Sequence, residues 1–429
     1  MLVPFLEVLL FILLIRLLTK SWRPMAWCTL FLVTIWSILW LFLVQLELLY
    51  ISPDGTYGSD ARYYYEAMIS ALHAGTWLPP EGVFNYGYVA FGTFVLRTSP
   101  SDSVVWVKLA NIGLMLACLA LGFYILQSWN ISKKISFYTM ILVGINGIVT
   151  WMVVRNLKDT LFLFLTLVLI VGTKFLLSRE CQTRLAFRIG GILALGLVSA
   201  WTLESVRQWG PYWALCIITA TIIETFSQER LQFKISKSQL LGVLTICLAL
   251  VMGLLVIFNQ SVIRDLFMLY SFAERSGGLA GAGLKDIALA VPKFIIGPGP
   301  IRAFFGWEIF EVTTSIGNIL IALGATLWWI YLPVLVLALL QGPNYWLKYA
   351  SVLVPLLVFV TIYSFAYSGS ADTRFRAIAY LFSFLITAPY LDMILQYRKI
   401  KRFLANYAGI AILVWICGAL TSYISLAGN

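Results

Sequence analysis

Three stretches of this chain place charged residues at spacings that suit chemistry. GSDARYYYEAM, residues 58–68, sets Asp60, Arg62 and Glu66 within seven positions around three consecutive tyrosines. The preceding SPDGTYG adds Asp54, and the following GTWLPPEGVFNYGYVAFGTFVL adds Glu81. A carboxylate held at a membrane edge can act as a general base or as a metal ligand. The plainer reading is that Asp60 complements the dipole of a helix beginning there.

The second stretch is VVRNLKDTLFLFL, residues 153–165, where Arg155, Lys158 and Asp159 fall between two apolar runs. Three charges there are costly unless paired, hydrated or bound to a ligand. Arg155 offers a phosphate a planar fork and Lys158 a point charge. The alternative is a snorkelling cap closed by an Arg–Asp pair. The third set is dispersed: Glu204 and Arg207 in TLESVRQWGPY, Asp372, Arg374 and Arg376 in SGSADTRFRAIAY, and Lys293 and Arg302 flanking a GPGP turn. Singly these are interface anchors. Together they place many cations beside many carboxylates, which suits an anionic headgroup and a carboxylate that accepts a proton.

Other motifs carry less. His73 is the single histidine and has no triad partner in view. The six cysteines make no CxxC and read as small packing residues, so no residue is assigned to metal. SGGLAGAGLKD, residues 276–286, lacks the GK[ST] ending of a phosphate-binding loop and reads as a flexible loop.

The elements that must position these residues are membrane helices. Hydrophobic residues make up 61% of the 429 and charged residues only 11%, against roughly 25% charged in a soluble domain. Apolar runs long enough to cross the hydrocarbon core recur along the chain. They predict an all-α polytopic membrane protein forming a single domain over 1–429, with about 12 transmembrane helices (11–13). The expected spans are 2–18, 26–50, 104–128, 135–154, 160–177, 189–206, 209–226, 239–258, 317–340, 349–367, 377–396 and 404–426. Alternate connections hold fifteen Lys and Arg against two acids, Glu180 and Glu229, whereas the opposite set holds twelve against thirteen. The positive-inside rule puts the first set in the cytoplasm. The net charge of +11 is then a topology signal, and no nucleic-acid partner is expected. The two long outer connections, 51–103 and 259–316, face the periplasm or exterior of a multi-pass plasma (inner) membrane protein.

Within the first outer connection, Ala61, Tyr64, Tyr65, Met68, Ala71 and Leu72 recur at helical spacing. They predict an amphipathic helix over 59–74, N-capped by Ser59, lying on the outer membrane surface after the second span. The glycine-, proline- and aromatic-rich segment after it is too broken for a span and is expected to fold back along the membrane.

GSDARYYYEAMISALHAG resembles the first outer loop of GT-C superfamily membrane glycosyltransferases. VVRNLKDTLFLFL is similar to the basic turn of bacterial members and of related oligosaccharide repeat-unit polymerases, and VPKFIIGPGP and ADTRFRAIAY are similar to their late motifs. The resemblance spans most of the chain in order. It implies a GT-C-like fold and inverting transfer of a sugar from a polyprenyl-phosphate carrier to a glycan, lipid or protein acceptor. Asp60 is then the catalytic carboxylate, with Asp54 and Glu81 as further candidates. Arg155, Lys158, Arg207, Arg374, Arg376 and Arg302 are candidates for the lipid phosphate. A divalent cation, Mg or Mn, held by Asp60 and another acid stays open, as do two alternatives: a polymerase of diphosphate-linked oligosaccharide, and a lipid or solute transporter or flippase.

Overall fold

The computed structural model describes residues 2–52, 54–56, 58–79, 82–178, 185–228, 284–297, 299–305, 314–366, 373–397 and 400–427. All regular structure among them is helical. In chain order the helices are α1 (Leu2–Arg16), α2 (Arg23–Ile51), α3 (Ser59–His73), α4 (Tyr86–Thr98), α5 (Val104–Ser128), α6 (Lys133–Gly144), α7 (Gly147–Val153), α8 (Asp159–Leu177) and α9 (Leu185–Val206). They continue as α10 (Gly210–Gln228), α11 (Leu284–Ile296), α12 (Pro300–Phe305), α13 (Ser315–Leu339), α14 (Pro343–Lys348), α15 (Ala350–Ala366), α16 (Thr373–Gln396) and α17 (Ile400–Ala427).

Seven of these helices are long and apolar enough to cross a membrane, or eight if α6 and α7 count as one bent span. Helices occupy most of the twelve expected positions, but twelve spans are not established. The 15 residues of α1 rise about 22 Å, short of a hydrocarbon core of about 30 Å. The expected span 239–258 lies outside the described residues. A further correction concerns 135–154, expected as one span. It breaks at Ile145–Asn146 with a bend of 57°. Asn146 causes the break by capping α7: its Oδ1 accepts from the backbone N–H of Ile148 (2.9 Å) and Val149 (3.2 Å).

α5 and α16 form the centre. The apolar windows of these two helices are 89% and 83% buried, against 11% for α17 and 22% for α9. The peripheral helices expose large apolar side chains, such as Leu197, Val198 and Trp201 on α9 and Ile412, Leu413 and Trp415 on α17. Such an apolar exterior suits lipid rather than water. α7 lies against α13 with almost no side chain between them. A Cβ at Gly147 would fall 1.8 Å from the Leu320 carbonyl oxygen, and one at Gly324 would fall 2.3 Å from the Ile148 nitrogen.

Inside the expected loop 259–316, the described part is helical. α11 ends with its last carbonyls clamped by neighbouring side chains. Arg376 Nε donates to Phe294 O, Trp328 Nε1 to Ile295 O, Trp329 Nε1 to Ile296 O and Tyr380 O–H to Gly297 O. These are the carbonyls that a helix C-terminus leaves without intrahelical partners.

Far along α8 from Asp159, Lys174 pairs with Glu224 of α10 inside the protein. Trp129 Nε1 (2.6 Å) and Gln228 Nε2 (3.3 Å) also reach Glu224 Oε1. The Ser351 backbone N–H (2.9 Å) and Oγ (2.5 Å) donate to Oε2. This buried carboxylate is saturated and ties α5, α8, α10 and the start of α15 together.

Candidate active site

α3 forms where its amphipathic spacing requires. Ala61, Tyr64, Met68 and Ala71 are buried, and Tyr65 and Leu72 are half-buried. With Tyr88, Val89, Val95 and Leu96 of α4 and Val107 and Ala110 of α5 they make a small separate core. The residue preceding the helix is Gly58 rather than Ser59 as expected, at φ +88°. Glycine is needed there because the φ is left-handed, and its missing Cβ leaves room for Arg155 Nη2, which would lie 3.0 Å from such an atom. This close passage lets the guanidinium reach the start of the helix that carries Asp60.

A buried hydrogen-bonded chain fixes the RNLKD turn beneath α3. Tyr88 O–H donates to Asn156 Oδ1 (2.9 Å), and Asn156 Nδ2 donates to the Ala61 carbonyl (3.0 Å). Asn111 Nδ2 donates to Tyr88 Oη (3.1 Å) and to the Arg155 carbonyl (3.0 Å). All three side chains are fully enclosed, and such buried networks specify one arrangement. Between α3 and Lys108, a cavity of about 10 Å³ is lined in part by Thr56, Ala61, Arg155 and Asn156. It has room for about one water molecule.

At the open edge of this frame, Arg374 Nη1 donates to Asp60 Oδ2 at 2.7 Å, with the Asp60 side chain 44% exposed and that of Arg374 14%. Arg374 Nε lies 3.9 Å from Asp159 Oδ2. Asp159 is fully buried and pairs through Oδ1 with Arg207, whose Nη1 also donates to Tyr363 Oη at 2.5 Å. The Arg207 guanidinium is packed among the rings of Phe162, Trp209, Tyr363 and Phe375. Arg155 is buried over Trp151. The half-buried Lys158 ammonium lies 5.7 Å from the centre of the Tyr64 ring, with no hydrogen bond or ion pair to it among the described residues.

Electrostatics follow from this crowding. Burial pushes the Asp60 carboxyl up, but Arg374, then Lys158 and Arg155, more than cancel that and hold it below its ordinary value. Burial, with Arg207 behind it, pushes the Lys158 ammonium down to about 7. Among the described residues, Arg155, Lys158, Arg207 and Arg374 gather around two carboxylates, Asp60 and Asp159. Comparison with family models, curated proteins and solved structures finds no match to this chain.

The remaining candidates divide. Asp54 is occupied by its own turn: Oδ1 accepts from Ser52 Oγ (2.6 Å), Thr56 N (2.9 Å) and Thr56 Oγ1 (2.8 Å). Arg376 serves the end of α11 instead of the cluster, because residues two apart on a helix face different ways. Arg302 sits on α12 against α13, and no described hydrogen bond or ion pair joins it to Asp60 or Asp159. Glu81 lies outside the described residues. The expected local Arg155–Asp159 cap is not the described pairing, since Asp159 takes Arg207 from α10's leading turn. A divalent cation does not fit the described groups. Both carboxylates are committed to guanidinium groups, and no cluster of three or more metal-ligating side chains occurs among the described residues.

Sequence reasoning missed Asp159 as a site residue in its own right, together with Tyr88, Asn111, Asn156 and Tyr363. Asn111 carried a signal, as an amide in the middle of an apolar helix.

Proposed function

We propose that the chain is a GT-C-like membrane glycosyltransferase. It moves a sugar from a polyprenyl-phosphate carrier to an acceptor hydroxyl on the outer face of the membrane, with inversion, from an architecture of about twelve spans. The observation that carries this reading is a partly exposed carboxylate, Asp60, held by Arg374 at the mouth of a cluster whose Lys158 and Arg155 charges also act on it. A prenyl phosphodiester arrives with one negative charge, and the departing prenyl phosphate gains a second. Fixed cations therefore stabilise the transition state more than the bound donor.

In the reaction, the acceptor oxygen bonds to the anomeric carbon as its proton passes to Asp60. The bond from that carbon to the phosphate oxygen breaks, and its electron pair leaves with the phosphate. Arg374, which donates to Asp60, and Lys158, which has no hydrogen-bond or ion-pair partner among the described residues, receive the phosphate, while Arg155 backs the turn and Arg207 holds Asp159 in place. The leaving group is good, so no strong general acid is required.

The test is purified protein in liposomes with a panel of prenyl-phosphate sugars, scored by mass spectrometry for free prenyl phosphate and glycosylated acceptor. Asp60→Asn should lower transfer roughly 100-fold or more while donor binding persists. Normal transfer by a folded Asp60→Asn protein refutes the assignment of the base.

A further inference from the structure

We propose that the Asp60–Arg374 ion pair is a latch that silences the base at rest and that the donor's phosphate opens, by taking Arg374 from Asp60. This rests on the reading of the site given above and adds to it a dependence of the base on the bound donor. At rest Asp60 is a poor proton acceptor, because Arg374 from α16 donates to it and the charges of Lys158 and Arg155 in the turn before α8 add to that hold. A base that must take an acceptor's proton needs that grip loosened.

The geometry makes Arg374 the exchangeable partner. Its contact with Asp60 is through a single nitrogen, Nη1. A guanidinium grips a phosphate through two parallel hydrogen bonds, the stronger arrangement. Asp60 is also the exposed member of the cluster, so a headgroup entering from its side meets this pair before the enclosed Asp159–Arg207 pair. Arg374 need not travel far, because its Nε already stands beside Asp159 Oδ2. Tyr64, on the next turn of α3, stays protonated because burial and the Asp60 charge both raise it, so it does not compete as a base. When Arg374 turns to the phosphate, Asp60 loses its nearest cation and gains a neighbouring anion. Both changes raise its proton affinity. The carboxylate thus becomes basic only with donor in place.

Difference infrared spectroscopy of the full chain in nanodiscs at about pH 5 reads this directly. The additions are a prenyl phosphate, the matching prenyl alcohol and inorganic phosphate, with lipid binding measured in parallel. The expected result is a new protonated-carboxyl band with prenyl phosphate, absent with the alcohol and absent in Asp60→Asn. While Asp60 is mostly ionised, its protonated fraction should grow about 10-fold per unit of pKa gained. Arg374→Gln should show the band without ligand, and prenyl phosphate should add only the smaller rise that its own charge contributes. Arg374→Lys should keep the resting state silent, which separates lost charge from lost folding. If prenyl phosphate binds and the band does not appear, the latch is overturned and the proposed function stands. An equal band with inorganic phosphate keeps the exchange but removes the lipid donor from the reading. No binding of prenyl phosphate overturns both.

Discussion

Raising the pH should weaken donor binding through one group, Lys158. Its ammonium is half-buried in the turn before α8, and burial first and Arg207 second hold its proton affinity down to about 7. A phosphate beside it favours the charged form, so its pKa in the complex is higher than in the free protein. Affinity from this charge is then complete below about pH 7 and falls by up to one decade per pH unit until the pKa of the complex is passed. A hydrogen bond to a charged group contributes about 1.5–3 kcal/mol, which at about 1.36 kcal/mol per decade is roughly 10- to 150-fold. The dissociation constant of a prenyl phosphodiester should therefore rise by that factor between pH 6.5 and pH 9. A diester keeps its single charge throughout, so the ligand does not titrate. Folding stability should move the other way. The unfolded chain keeps the Lys158 proton up to about 10.4 and the folded chain only to about 7, so this group's contribution rises with pH between them. Lys158→Gln should bind weakly and without this pH dependence, and Lys158→Arg tightly across the range. A flat wild-type profile, or the wild-type slope surviving in Lys158→Gln, refutes the reasoning.

At the other end of α8, Glu224→Gln leaves the Lys174 ammonium buried opposite a neutral amide, at a cost of about 3–5 kcal/mol. Pairing it with Lys174→Met should restore much of the loss. The readout is thiol-dye access to buried Cys118 on heating, with Cys28, Cys181, Cys216, Cys247 and Cys417 replaced. Gly147→Ala drives a methyl group into the Leu320 carbonyl and should cost about 1–3 kcal/mol or more in the same assay; a neutral result would mean that α7 and α13 do not touch as described. Single cysteines at Ser101 and at Lys134, both exposed and at opposite ends of α5 and α6, should divide in an intact cell. An impermeant reagent from outside should reach Ser101→Cys alone, and the reverse pattern removes the outer-face site.

What could be read in advance depended on whether the information was local. α3 was legible almost residue by residue, because a surface helix writes its buried face into a 3.6-residue period. Helix positions were legible too, since apolar runs announce them. The break at Asn146 was not, because hydropathy averages over a window that one capping amide and one glycine do not change. Charge pairing was the least legible. Asp159 looked like the partner of Arg155, four residues away, yet it pairs with Arg207, and Asp60 pairs with a residue 314 positions on. Such pairs are set by which turns meet in space, and nothing in the period of an isolated segment encodes that. Lys108 and Asn111 carried a local signal that went unused, one that says partners exist but not which. A lysine and an amide inside an apolar helix require partners, which here are Gln45 and the Gly55 carbonyl for the first, and Tyr88 and the Arg155 carbonyl for the second.

The two charged clusters on α8 make opposite use of the same chemistry, and the contrast separates packing from function. Around Glu224 one cation meets one carboxylate and both carboxylate oxygens are filled, as expected of a structural tie. Around Asp60, among the described residues, Arg155, Lys158, Arg207 and Arg374 stand with two carboxylates, Asp159 Oδ2 accepts no hydrogen bond, and the Lys158 ammonium donates none. Crowding the Lys158 ammonium against the guanidinium groups of Arg207 and Arg374 costs stability in the resting protein. If Lys158 is kept there for a ligand, Lys158→Met should make the protein more resistant to heat and at the same time lower its affinity for prenyl phosphate at pH 6.5 by roughly 10-fold or more. Should the variant gain stability and bind prenyl phosphate as wild type does, the placing of Lys158 is an accident of packing, and the phosphate must be sought elsewhere.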